Sequence, residues 1–159
     1  MVDLSLLRDV EIFNGLPDRF LRKVVTVFKE QPFHKGERLF AQDDKAEQLM
    51  IVKQGFVGIS MRRTEGEKES TFLYIGRGQS IGEMPWVDRG NRSGSAYVAS
   101  DEAVLALAAF SDLDALCNRH PKIGYRVMRN IAADISFRLR QQALKNILLQ
   151  RPQDPKHEA

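Results

Sequence analysis

The sequence predicts a mainly β domain, a sandwich or barrel, flanked by helices at both ends. Three observations predict it. Between residues 31 and 110, short β-forming runs alternate with Gly, Asp and Asn punctuation at intervals of roughly eight to twelve residues, as strands of a sandwich or barrel do. Before and after that stretch, apolar residues recur at helical spacing instead. The length, 159 residues, is one domain's worth of chain with enough mass to bury a core. The expected division is helices over 1–30, β structure over 31–110 and helices over 111–150, with 151–159, which holds Pro152 and Pro155, as a disordered tail.

Each element has a local reason. Leu6, Leu7, Val10 and Phe13 make one helical stripe that Asn14-Gly15 ends. Leu16-Pro17-Asp18 restarts the helix with Pro17 in its first turn, and Phe20, Leu21, Val24, Val25 and Phe28 carry it on. Strands are expected at 31–33, 38–41, 48–54, 55–63, 70–75, 94–99 and 103–109, with turns at 34–37, 43–44, 64–67 and 76–78. Ser111-Asp112 is placed to cap a helix over 113–118. Pro121 then opens a long helix over 122–150, at ~1.5 Å per residue longer than covering a small barrel requires.

Composition excludes several classes. An apolar fraction of 43% and a charged fraction of 28% are ordinary for a soluble protein. The apolar runs, such as 103–110, are too short to span a bilayer, so no membrane partner is expected. The N-terminus lacks a basic segment followed by an apolar run, so no secretion signal is read. Cys117 is the only cysteine, which rules out an internal disulfide or a multi-cysteine metal site and fits a cytoplasmic setting. His34, His120 and His157 lack ligand spacing, so no metal or other cofactor is expected. With no acid, base and nucleophile set and no Walker-type loop, the chain does not read as an enzyme. From Arg119 onward, basic residues outnumber acidic ones nine to three. That helix would suit nucleic acid, an acidic partner or an anionic ligand, or be simply a solvated face.

One stretch, 78–96, carries chemistry. An anion site needs backbone N–H groups freed by a glycine, ideally opening a short helix, and a fork-shaped cation. Gly82 supplies the close approach, 84–87 the helical turn and Arg92 the fork, while Glu83 is an acceptor for a sugar hydroxyl. A ribose phosphate ester would satisfy all of these. A surface loop holding an Arg–Glu pair fits the same residues.

Several further motifs stand in order along the chain: the opening Leu7-Arg8-Asp9-Val10-Glu11-Ile12-Phe13 with Leu16, the turn Lys35-Gly36-Glu37-Arg38-Leu39-Phe40, the run from Leu49 to Val57, and Gly82-Glu83-Met84 with Arg92-Ser93. Through them, residues 7–140 resemble the cyclic nucleotide-binding domain family. The resemblance implies an antiparallel double-stranded β-helix (jelly roll), or β-roll, with N-terminal helices and a long C-terminal helix. It implies cAMP or cGMP as ligand. Gly82 would let the backbone approach it, Glu83 would accept from the ribose 2′-hydroxyl, the Met84 amide would lie near the phosphate, and Arg92 would pair with that phosphate. Ser93 would reach a guanine amino group or a phosphate oxygen, and Phe137 or Arg138 on the long helix would cap the base.

Two positions depart from the pattern. Pro85 stands where a small residue usually donates its amide to the phosphate, and proline has no N–H. The loss of one charge-assisted hydrogen bond, roughly 1.5–3 kcal/mol, implies weakened binding or a changed ligand. Asp43 replaces a turn glycine and is expected to adopt its left-handed conformation. Trp86 reads as a core residue or as a stacking platform for a base. The functional expectation is a sensor module acting on an unidentified protein partner in trans, with a long helix able to pair two chains as a homodimer. The alternatives are a degenerate roll serving as a structural or interaction domain, and a truncated Crp/Fnr-type transcription regulator. DNA is not an expected partner, because the residues after Gln150 cannot form a helix-turn-helix.

Overall fold

The computed structural model describes residues 2–149, so the expected tail over 151–159 and the last residue of the expected long helix, Gln150, lie outside the described residues. The elements run α1 (Leu4–Asp9), α2 (Asp18–Val24), β1 (Lys29–His34), β2 (Arg38–Phe40), β3 (Gln48–Gln54), β4 (Val57–Met61), β5 (Ser70–Ile75), β6 (Ser80–Ile81), α3 (Glu83–Asp88), β7 (Ser95–Val98), β8 (Glu102–Ala109), α4 (Phe110–Arg119) and α5 (Pro121–Leu149). All strand pairings between them are antiparallel. One sheet has the order β1-β8-β3-β6 and the other β2-β7-β4-β5, so the double-stranded β-helix with helices at both ends is the observed architecture.

The core lies in two layers, and the pleat of β3 explains both. Successive side chains of a strand point to opposite faces. Leu49 and Ile51 of β3 therefore join the helices on one side, with Ala106 and Ala108 of β8, Leu6, Leu7, Phe13, Leu113 and Ile123. Met50 and Val52 point the other way, into the space between the sheets, with Leu105, Val57, Ala96 and Ile81. A strand covered on both faces reads as an unbroken apolar run, which is why 49–52 does. The opposite edge, β5, is exposed over most of its length.

Several boundaries differ from expectation. α1 stops at Asp9 because Val10 is extended, and a separate 3-10 turn, Glu11–Phe13, precedes Gly15. Pro17 is the N-cap of α2 and not part of its first turn. β6 was not expected, since two residues are too few to show periodicity. α4 begins at Phe110, whose amide donates to the Glu47 carbonyl at 2.9 Å, so Ser111 and Asp112 lie inside the helix rather than at its cap. Asp43 is left-handed (φ 71°), as expected from a residue standing in for glycine.

Candidate ligand-binding site

The short β6 delivers the chain to Gly82, whose φ of 104° is left-handed and opens α3. A Cβ at this position would sit 2.6 Å from Arg92 Nη1 and 2.9 Å from the Gln48 carbonyl oxygen, so only glycine fits. The backbone of Arg92 is fixed from the other side: its N–H donates to the Asp44 carbonyl, and its own carbonyl accepts from the Asp43 N–H, both at 2.8 Å. The left-handed Asp43 thus holds the arginine in register. The Arg92 side chain runs inward and is 5% exposed. Its Nη2 donates to the Gln48 carbonyl at 2.8 Å, and its guanidinium carbon lies 4.1 Å from the centre of the Phe40 ring. Nε and Nη1 are buried without a partner among the described residues.

These groups line a cavity of about 200 Å³. Gly82, Glu83, Met84, Pro85, Arg92 and Ser93 all contribute to it, as does Arg138 from α5. Burial raises the Glu83 carboxyl above its ordinary range, against the pull of Arg138 and of the Ser80 hydroxyl, which donates to it at 3.2 Å. Burial lowers the Arg92 guanidinium, opposed by the charges of Glu83 and Asp44, and arginine stays protonated in proteins. Phe137 lies outside the cavity and is 59% exposed. Asp134, Ile135 and Arg138 share one face of α5 and line the cavity, whereas Phe137 falls off that face. Arg138 is ion-paired to Asp134 at 2.7 Å.

Sequence reasoning missed Phe40, Phe72, Leu73, Asp134 and Ile135 as lining residues. Helical spacing back from Arg138 points to Asp134; nothing local marks Phe40 or the β5 pair. Trp86 is 2% exposed and packs with the helices rather than facing the cavity, so its stacking role is excluded. Its Nε1 donates to Asp114 of α4 at 2.9 Å, and Arg89, left-handed at the end of α3, holds the other oxygen of the same carboxylate. Among the described residues no group of three or more His, Cys, Asp and Glu is placed to hold a metal ion. No described helix is long and apolar enough to cross a membrane.

A buried guanidinium with two free N–H edges calls for an anion, since buried donors are otherwise satisfied. Residues 30–120, more than half the chain, match the family described as "Cyclic nucleotide-binding domain". The chain belongs to that family. This cyclic nucleotide-binding domain is 33% identical over 138 residues to the "Cyclic AMP receptor protein" of Thermus thermophilus, covering 87% of this chain and 61% of that one. The crystal structure of the Thermus thermophilus Catabolite Activator Protein superposes with a TM-score of 0.76 at 31% identity, over 87% of this chain and 62% of that chain. A cyclic nucleotide-binding domain from Methylobacillus flagellatus shares the fold over 96% of this chain and 84% of its own, with a TM-score of 0.74 at 22% identity. The domain thus spans about three fifths of the curated Thermus relative.

Proposed function

We propose that this domain is a cyclic nucleotide sensor with regulatory and not catalytic action, which passes its signal to a partner in trans within the cytoplasm. The observation that carries the reading is the buried Arg92 guanidinium, with no partner for Nε and Nη1 among the described residues, beside a glycine-opened helical turn. A cyclic phosphate supplies the missing acceptors, and Glu83 is set to accept from a ribose hydroxyl. The name of the Thermus relative, a cyclic AMP receptor, favours the same ligand class.

The cavity, about 200 Å³, is smaller than the ~300 Å³ at which small-molecule sites begin. A nucleotide would therefore displace the α5 wall carrying Asp134, Ile135 and Arg138. That displacement is the signal, a shift between two packings of α5. The Trp86–Asp114 bond offers a second route, from α3 into α4. Beyond the roll, α5 leaves Phe137, Leu144 and Leu148 exposed at heptad spacing, interrupted by Gln141, and this face supports a homodimer.

Calorimetric titration with cAMP and cGMP tests the reading. The parent should bind in the micromolar range, Arg92→Ala should lose at least about a hundredfold, and Pro85→Ala, which restores an amide, should gain about ten- to a hundredfold. If Arg92→Ala and the parent respond alike, the sensor reading is lost. The competing reading, an empty roll acting as an interaction domain, draws on Pro85 and expects no heat from either nucleotide.

A further inference from the structure

Away from the ligand cavity, a second concavity of about 480 Å³ lies between the turn around Gly15, the start of α2 and the first turns of α5. Its floor is apolar, built from Leu16, Phe20 and Pro121. Its rim is cationic, built from Arg19, Lys122 and Arg126. None of these three cations has an ion-pair partner among the described residues. Arg19 lies 5.1 Å from the Phe20 ring centre, and the Arg126 guanidinium lies over Gly15. The neighbouring carboxylate, Asp18, is turned to Arg8 at 2.6 Å and leaves the rim uncompensated. Arg129 donates to the Tyr125 hydroxyl at 2.9 Å, adding a fourth positive charge beside a tyrosine that is 64% exposed.

Cations on a merely solvated face spread apart to reduce repulsion or pair with acids. Here they converge on one concavity whose base is apolar, and no acid among the described residues is ion-paired to them. The complementary occupant carries carboxylates around an apolar side chain. We propose that this groove docks an acidic peptide segment of a partner protein, its carboxylates on Arg19, Lys122 and Arg126 and an apolar residue on the Phe20 floor. Duplex DNA would need cations tracking a backbone rather than ringing a hollow. A lipid surface would need protruding apolar side chains rather than recessed ones.

The inference rests on the in-trans part of the proposed function and not on nucleotide affinity. It also ties the two sites together. Arg126 and Asp134 stand eight residues apart on α5, about 12 Å along one helix, so a shift of the cavity wall moves the groove rim.

Fluorescence anisotropy tests it, using a fluorescein-labelled peptide of aspartate and glutamate flanking one leucine and one phenylalanine. The full chain should bind this probe, and binding should weaken as salt rises from about 0.05 to 0.5 M. Lys122→Glu and Arg126→Glu, both at exposed positions, should each weaken binding about tenfold. Arg140→Glu, the same charge change farther along α5, should alter it less than about twofold. Equal loss from Arg140→Glu, or no loss from either groove variant, would overturn the assignment. So would tighter binding of a labelled DNA duplex or of phosphatidylserine vesicles at the same residues. A chain that takes up nucleotide but ignores the peptide refutes the groove alone, and one that binds the peptide without nucleotide supports it.

Discussion

Arg92 and Glu83 show how burial in one cavity treats opposite charges. Burial pulls the guanidinium down and the carboxyl up, but only the carboxyl has an ordinary value close enough to neutrality for this to matter. With its pKa raised, Glu83 keeps its proton in the folded state over a pH range, starting at the ordinary glutamate value of about 4.3, where the unfolded chain has lost its own. Its contribution to stability is therefore fullest below that range and is lost as pH rises through it. Glu83→Gln removes the titration while keeping an acceptor for Ser80. Urea midpoints of the variant and the parent should agree near pH 4 and separate in favour of the variant toward pH 7; a gap that stays constant with pH would refute this. Gly82, Glu83 and Arg92 were singled out in the sequence because they match the family's motif; their closeness along the chain fits a surface loop equally well. Phe40, which lies against the Arg92 guanidinium, was not, because its approach depends on β2 pairing with β7 across more than fifty residues of chain.

At the scale of elements, α3 is short and would fray alone, yet its C-terminal half is pinned by a single carboxylate of α4. Asp114 accepts from the buried Trp86 indole and from Arg89. Asp114→Ala strands the indole N–H, which should destabilise the domain by about 1–3 kcal/mol, whereas the half-exposed Arg89 pair adds little. Asp114→Asn keeps an acceptor and should recover most of the loss in chemical unfolding. Equal losses in the two variants would mean that the indole bond is not the source. Elements with a sustained local signal, the unbroken apolar run of β3 and the helical period of α5, were readable to within a residue or two. Those set by tertiary contact were not. β6 exists through its pairing with Met50 and Ile51, and α4 starts early because the Phe110 amide reaches Glu47.

The molecule as a whole divides into a roll and a lever. α5 packs beside α4, α3 and the turn Glu11–Phe13, with Ile123, Val127 and Ile131 buried, then runs on with Leu144 and Leu148 exposed at 55% and 63%. Two such helices would bury these leucines against each other in a left-handed pair, with Gln141 as a polar interruption. Sedimentation should give a dimer for the parent, and Leu144→Glu with Leu148→Glu should shift it to a monomer; an unchanged sedimentation coefficient would remove the helix from the interface. The roll is covered unevenly. The β1-β8-β3-β6 sheet is roofed by helices on one side and by the second sheet on the other, whereas β5 stands bare at the opposite rim. The molecule therefore has a stiff keel and a soft gunwale, and a guest arriving beneath β5 would bend the rim long before it troubled the timbers below.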